Sequence, residues 1–240
     1  MLTMNRPEQR NALNRDLFRA IGHAFVEAET DPEVRAIVLT GAGDKAFCAG
    51  MDLKAFAAGE PIGAGDGPGT TVFVERCYPK PIVAAVNGAA VAGGFGVMLG
   101  CDIIVAAEHA TFGLPEVRRG LVGVGATTRA SLRLPPAITL ELGLTGAPMD
   151  AARALHYGLV NRVVPAAEVL PTAIEIATTI AANAPLAVAL TKEIALDARG
   201  LLDADIAMWR ERAASVMTSN DAKEGARAFA EKRPPNFTGT

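Results

Sequence analysis

The sequence predicts an α/β domain built on a parallel sheet. Three short apolar runs, Ala36–Thr40, Ile82–Val86 and Ile103–Ala106, have the length and unbroken hydrophobicity of strands buried on both faces. Gly41-Ala42-Gly43 and Asn87-Gly88 punctuate the first two at their ends. Helix-like segments alternate with such runs up to about residue 145, the order expected of α/β layers.

Taken in order, Asn14–Thr30 carries Leu17, Phe18, Ile21, Phe25 and Val26 at helical spacing, with Asn14 placed to cap the helix. Residues Ala57–Gly69 hold five glycines and two prolines in 13 positions, the composition of a mobile surface loop, and such loops often act as lids. Gly93–Gly100 is too glycine-rich for a stable isolated helix. If helical, it is held by packing, its glycines permitting close backbone approach. Beyond Val160–Val164, the chain from Ala166 to Lys232 reads as nearly continuous helix, broken at Ala184-Pro185, Gly200 and Asn220-Asp221. The expected organisation is a core over 1–165 and a helical region over 166–240, docked on the core or on a neighbouring subunit.

Composition narrows the function classes. Half of the 240 residues are hydrophobic and 20% are charged, which excludes disorder. Lys plus Arg is 23 against 26 for Asp plus Glu, so the basic excess of a nucleic-acid binder is missing. Cys48, Cys77 and Cys101 show no CxxC spacing, which argues against a disulfide framework or a metal site and fits a reducing cytoplasm. The N-terminus turns polar after four residues, unlike a signal peptide. Pro81–Cys101 is 21 residues without a charge, long enough to span a membrane. It contains Asn87 and five glycines, however, and reads as a buried strand, turn and helix.

Two glycine-bearing turns, Lys45–Lys54 and Asn87–Gly96, each join a strand-like run to a helix-like one. Unpaired N–H groups at such helix starts can bind an anion or stabilise a forming oxyanion, though the same pattern also serves tight packing of helix on strand. Neither turn is a dinucleotide fingerprint, and the chain has no GxxxxGK[ST] phosphate loop and no GxSxG elbow. Glu116 follows the apolar stretch Phe112-Gly113-Leu114-Pro115. Burial there would raise its pKa and suit it to moving protons; the other reading is a surface glutamate paired with Arg118 or Arg119. His23, His109 and His156 lie in unrelated patterns and read as structural or surface residues. Asp52 follows Met51 at a helix start, where a carboxylate caps N–H groups.

Six segments, in order, resemble the crotonase (enoyl-CoA hydratase/isomerase) superfamily. They are NRPEQRNALN (5–14), GAGDKAFCAGMDLK (41–54), KPIVAAVNGAAVAGGFG (80–96), CDIIVAAEHATFGLPEVRRGLVG (101–123), LTGAPMDAARALHYGLVNRVVP (144–165) and EGARAFAEKRPPNF (224–237). Within it, the strings MDLK, LPPAI and AFAEKR are similar to carnitinyl-CoA dehydratases. The resemblance implies a spiral of ββα units with a helical C-terminal region, assembled as trimers or dimers of trimers. It implies an acyl-CoA thioester as substrate, with no separate cofactor. The family's oxyanion hole maps onto the backbone N–H groups of Met51 and Gly93. Substrate contacts map onto Arg10, Lys45, Ala49, Leu53, Gly94 and Gly96, with Phe229 and Lys232 supplied by a neighbouring subunit. Family members usually carry an additional strand segment ahead of the stretch matching Leu2–Arg6, so the start looks short.

One departure bears on mechanism. Hydratases of this family use two glutamates; the second is present as Glu116, while Gly96 stands at the first. A single carboxylate still permits double-bond isomerisation. Hydration would need a water held by backbone groups near Gly96, or another carboxylate such as Glu75, Glu60 or Asp66. A non-catalytic acyl-CoA binder is the reading from a different class.

Overall fold

A computed structural model describes residues 1–61, 63–75, 77–197, 215, 218–231 and 233–240, with the backbone alone at 197, 226, 227, 229 and 230. The strands are β1 (Leu2–Met4), β2 (Ile37–Gly41), β3 (Ala46–Cys48), β4 (Ile82–Val86), β5 (Ala89–Val91), β6 (Ile103–Ala107), β7 (Thr111–Gly113), β8 (Met149–Asp150) and β9 (Arg162–Val164). They form a five-stranded parallel sheet in the order β1-β2-β4-β6-β9 and a four-stranded sheet in the order β3-β5-β7-β8. All five residues of β2 and all five of β4 are buried, which is why these strands read as continuous apolar runs.

The second sheet was not legible as strands. Its members are two or three residues long, and its last pair, β7 with β8, is antiparallel. Each nonetheless follows a long strand directly: β2 leads into β3, β4 into β5, β6 into β7, and a helix comes after. This repeat is the ββα spiral of the crotonase fold.

Among the helices, α1 (Arg15–Thr30) begins where expected, with the Asn14 Oδ1 accepting from the Leu17 N–H at 3.1 Å. Its Phe25 stacks on Phe73 at 4.0 Å and meets Tyr78 edge-on at 5.2 Å. Val26 departs from the predicted apolar face and is exposed, because α1 buries Ile21, Gly22 and Phe25 instead. Next come α2 (Leu53–Ala57), α3 (Thr71–Val74) and α4 (Gly93–Leu99), the last almost wholly buried. A Cβ on Gly94 would fall 2.0 Å from the Cys48 carbonyl oxygen, so glycine is what lets α4 lie directly on β3. The uncharged stretch Pro81–Cys101 is thus β4, β5 and α4 in the core. Among the described residues no single helix is long and apolar enough to cross a membrane.

The chain continues through α5 (Val124–Arg133), α6 (Pro136–Thr145) and α7 (Ala151–His156). α8 (Val169–Ala181) packs across β2, β4 and β6, and its Val169, Ala173 and Ala177 join the same core. After the predicted break at Ala184-Pro185, α9 (Pro185–Asp197) is tied to the sheet by Lys192, whose ammonium lies 2.7 Å from the Asp102 carboxylate. The expected break at Gly200 lies outside the described residues. The last helix, Asn220–Glu231, starts at the predicted break, and its buried Asp221 accepts from the Thr238 and Gly239 N–H groups, folding the C-terminal tail back upon it.

Candidate active site

The two glycine-bearing turns are brought together by strand pairing. β3 and β5 are parallel neighbours, with Ala46 opposite Ala89 and Cys48 opposite Ala90, so the turns that leave them emerge side by side. In the first, Gly50 has φ +83°, and a Cβ there would stand 2.8 Å from the Ala92 Cβ and 3.0 Å from the Gly93 nitrogen. Glycine is therefore required at 50 for both its backbone angle and the contact between turns. In the second, Ala92 is held at φ 51°, ψ −128°, a sparsely populated conformation that costs about 1–3 kcal/mol and clusters at functional sites. Gly93 opens α4, and a Cβ on it would lie 3.7 Å from the Met51 nitrogen. Among the described residues, neither the Met51 N–H nor the Gly93 N–H donates to a protein acceptor.

Polar side chains brace the first turn from behind. The Asp52 carboxylate caps α2, accepting from the Lys54 and Ala55 N–H groups at 3.2 and 3.3 Å, and pairs with Arg6 at 3.0 Å. Burial alone would raise the Asp52 carboxyl, but the Ala55 amide, the Arg6 guanidinium and the Lys54 amide together hold it below the ordinary carboxylate range. Asn11, fully buried, accepts from the Arg6 N–H and donates to the Ala42 and Ala46 carbonyls at 3.0 and 2.8 Å. Asn87 donates to the Gly43 carbonyl at 2.7 Å.

Glu116 stands on a 3-10 turn, Pro115–Arg119, which Pro115 opens and Gly120, in the left-handed conformation, closes. Arg118 donates to the Thr145 carbonyl at 3.0 Å and Arg119 to the Arg118 carbonyl at 3.2 Å. Neither pairs with Glu116, which sets aside the surface ion-pair reading. The Glu116 Oε2 is enclosed and, among the described residues, has no hydrogen-bond partner. Burial pushes its carboxyl above the ordinary value, opposed by its own backbone N–H.

Glu116, Met51, Gly93, Gly96, Ala49 and Leu53 share one cavity of about 660 Å³, within the usual range for small-ligand sites. Glu75, which ends α3, is on the same wall; Glu60 and Asp66 are not. Gly94 lies beneath the cavity against Cys48 and does not line it. Arg10 and Lys45 are exposed and neither lines it, although the Arg10 carbonyl accepts from the N–H of Ala49, which does, at 3.0 Å. Phe229 belongs to the last helix, far along the chain, and Lys232 lies outside the described residues. All three histidines are exposed and none lines the cavity.

Sequence reasoning missed Asn11, which no periodicity announces; Gly123 and Ala126, at the start of α5, form part of the cavity wall.

The family model for enoyl-CoA hydratase/isomerase matches residues 1–240. The chain belongs to that family. It is 42% identical over 246 residues to a carnitinyl-CoA dehydratase of Salmonella arizonae, an alignment covering 99% of this chain and 94% of that protein. It is similar in structure to an enoyl-CoA hydratase of Mycobacterium marinum (TM-score 0.91, 46% identity, 100% of this chain and 95% of that one). A carnitinyl-CoA hydratase of Mycobacterium avium gives a TM-score of 0.77 at 44% identity, with the same coverage. Like other members of the enoyl-CoA hydratase/isomerase family, this crotonase carries acyl-CoA thioester chemistry.

Proposed function

We propose that the cavity stabilises an enolate of a bound acyl-CoA thioester, with the Met51 and Gly93 N–H groups donating to its oxygen and Glu116 as the single side-chain acid and base. The observation that carries this reading is one cavity holding two amides with no protein acceptor among the described residues and a partly buried carboxylate whose Oε2 has no partner among them, with no side chain at position 96. Charge developing on the thioester oxygen falls to preorganised donors, each worth roughly 2.7–4 kcal/mol of barrier. A carboxyl raised by burial is suited to exchanging a proton with carbon near neutrality.

The reaction this arrangement performs with least addition is allylic isomerisation. The Glu116 carboxylate takes a C2 proton from a 3-enoyl thioester, the electrons delocalise into a dienolate, and the same proton returns at C4. The double bond then lies between C2 and C3, and Glu116 is restored. The nucleotide end of the substrate lies along Arg10, Lys45, Ala49 and Leu53, with Phe229 and Lys232 of a neighbouring subunit completing the site in a trimer or dimer of trimers.

Hydration or dehydration is the second reading, favoured by the likeness to carnitinyl-CoA dehydratase and hydratase. It requires either backbone groups near Gly96, where Gly125 and Ala126 also face the cavity, or a second carboxylate such as Glu75, to hold the water. Incubating the pure protein with 3-enoyl-, 2-enoyl- and carnitinyl-CoA separates these outcomes. Conversion of 3-enoyl to 2-enoyl thioester, abolished in Glu116→Gln with binding retained, is expected. Tight binding without conversion of any thioester would identify a non-catalytic binder.

A further inference from the structure

Among the described residues the Glu116 Oε2 has no hydrogen-bond partner, and the backbone N–H that bears on the carboxyl is its own. Carboxylates at functional sites are ordinarily oriented by such partners; here Oε2 is enclosed and unsatisfied, and Arg118 and Arg119 donate elsewhere. Shape must do what hydrogen bonds do not. The chain returns from the 3-10 turn through Gly120 to Gly123, the residue that caps the start of α5. A Cβ built on Gly123 would fall 1.9 Å from the Glu116 Oε1, 2.7 Å from its Cδ and 3.4 Å from its Cγ. The carboxylate thus fills the notch that the missing Gly123 side chain leaves open.

We infer that Gly123 is a positioning residue for Glu116: the notch at its α-carbon sets where the carboxylate sits in the acyl cavity. This rests on the reading of Glu116 as acid and base for its catalytic consequence, but not for its geometry. Three further facts support it. The three atoms nearest that Cβ, outside its chain neighbours, all belong to the Glu116 side chain, and Gly123 has φ −100°, open to any L-residue. Gly123→Ala therefore leaves the backbone in place and displaces one flexible side chain. Burial of the carboxylate is what raises its pKa, and the notch is part of that burial. The charged groups facing it are few: Glu75 from α3, and Arg118 and Arg119 on its own turn. The walls supplied by α5 and α6, including Ala126, Thr127, Ser131, Thr139 and Leu140, carry no charge, so shielding governs its titration.

The test is Gly123→Ala with two readouts. Carboxyl NMR of glutamate-labelled protein, with the Glu116 signal assigned by its loss in Glu116→Gln, reports the geometry without turnover. The Glu116 titration is expected to move down toward that of an ordinary glutamate. Turnover is expected to fall about 10²-fold in kcat, as for a reacting group misplaced by about 1 Å, with KM little changed and the acid limb of kcat/KM moved to lower pH. In a Glu116→Asp background the carboxylate is drawn back by one methylene, so Gly123→Ala is expected to cost less further activity than it does in the parent. An unchanged Glu116 titration in Gly123→Ala, or an activity loss that simply multiplies with that of Glu116→Asp, overturns the inference. Wild-type-like turnover of Glu116→Gln would overturn the catalytic reading instead, leaving the NMR shift to decide the notch.

Discussion

Gly96 faces Ala126 across the interface of α4 with α5: a Cβ on Gly96 would stand 3.4 Å from the Ala126 Cβ and 3.5 Å from its Cα. Position 96, where the resemblance implies a first glutamate, is therefore bounded by the start of α5, and any side chain there sets out toward that helix. A methyl group just fits. Because glycine inside a helix is less stable than alanine by roughly 0.5–1 kcal/mol, Gly96→Ala is expected to leave stability unchanged or raise it by up to about 1 kcal/mol, read by chemical denaturation. Gly96→Glu must bend into the cavity past Ala126, with an expected loss of about 1–3 kcal/mol from overpacking. If a second carboxylate is what hydration lacks, 2-enoyl-CoA hydration rises on the order of 10²-fold. A folded Gly96→Glu variant with no gain would show that α5 blocks the position.

As the proposed acid and base, Glu116 ties activity to stability through pH. Its folded pKa lies above the ordinary value of 4.5, so the folded chain retains a proton that the unfolded chain has lost. Stability then falls as pH rises from the unfolded value through the folded one. Glu116→Gln removes this dependence and is expected to melt higher than the parent at neutral pH, with the difference vanishing below pH 4.5. The parent's kcat/KM should show an acid limb above that same value. An identical melting profile for both proteins across this range would contradict the buried placement of the carboxyl.

Much of the core was legible because its physics is local. Ile82–Val86 is a strand with the predicted bounds, since a run buried on both faces admits no polar residue, and Asn14 caps α1 because a short side chain can reach the Leu17 N–H. The second sheet was not legible, as strands such as Ala46–Cys48 are too short to show a period and depend on pairing with distant partners. Glu116 stood out by its apolar approach, whereas its lack of a partner depends on where Arg118 and Arg119 find carbonyls to bond. Gly123 carried no sign of its relation to Glu116, because that is a property of how the turn closes.

Asp52 stabilises the turn that presents the Met51 amide. Asp52→Ala removes the cap of α2 and leaves Arg6 without its ion pair, with an expected loss of about 1–2 kcal/mol. Asp52→Asn keeps a capping oxygen and should lose less. The folded Asp52 pKa is depressed, so its contribution is present above the unfolded value and lost as pH falls through the lowered one. The parent and Asp52→Ala are accordingly expected to differ most at neutral pH and to converge below pH 3.8. A lower kcat at neutral pH is expected alongside, because the cap orients the residue that follows Met51.

Glu75 is the other carboxylate on the cavity wall, and it distinguishes one-carboxylate from two-carboxylate chemistry. It is exposed, and among the described residues it makes no hydrogen bond or ion pair within contact distance. Its charge acts instead on Arg129 of α5: burial pushes that guanidinium down, Arg133 adds to the effect, and Glu75 opposes both. On this basis Glu75→Gln is expected to lower the melting temperature slightly, by leaving the half-buried Arg129 less compensated, and to leave kcat for enoyl-CoA isomerisation unchanged. Were Glu75 to stand in for the carboxylate absent at 96, the same substitution would cost roughly 10²–10⁴ in kcat. Steady-state assays of Glu75→Gln beside Glu116→Gln, on the same thioester, decide between them: a large loss in both variants would require two carboxylates, whereas a loss confined to Glu116→Gln assigns the proton transfers to one.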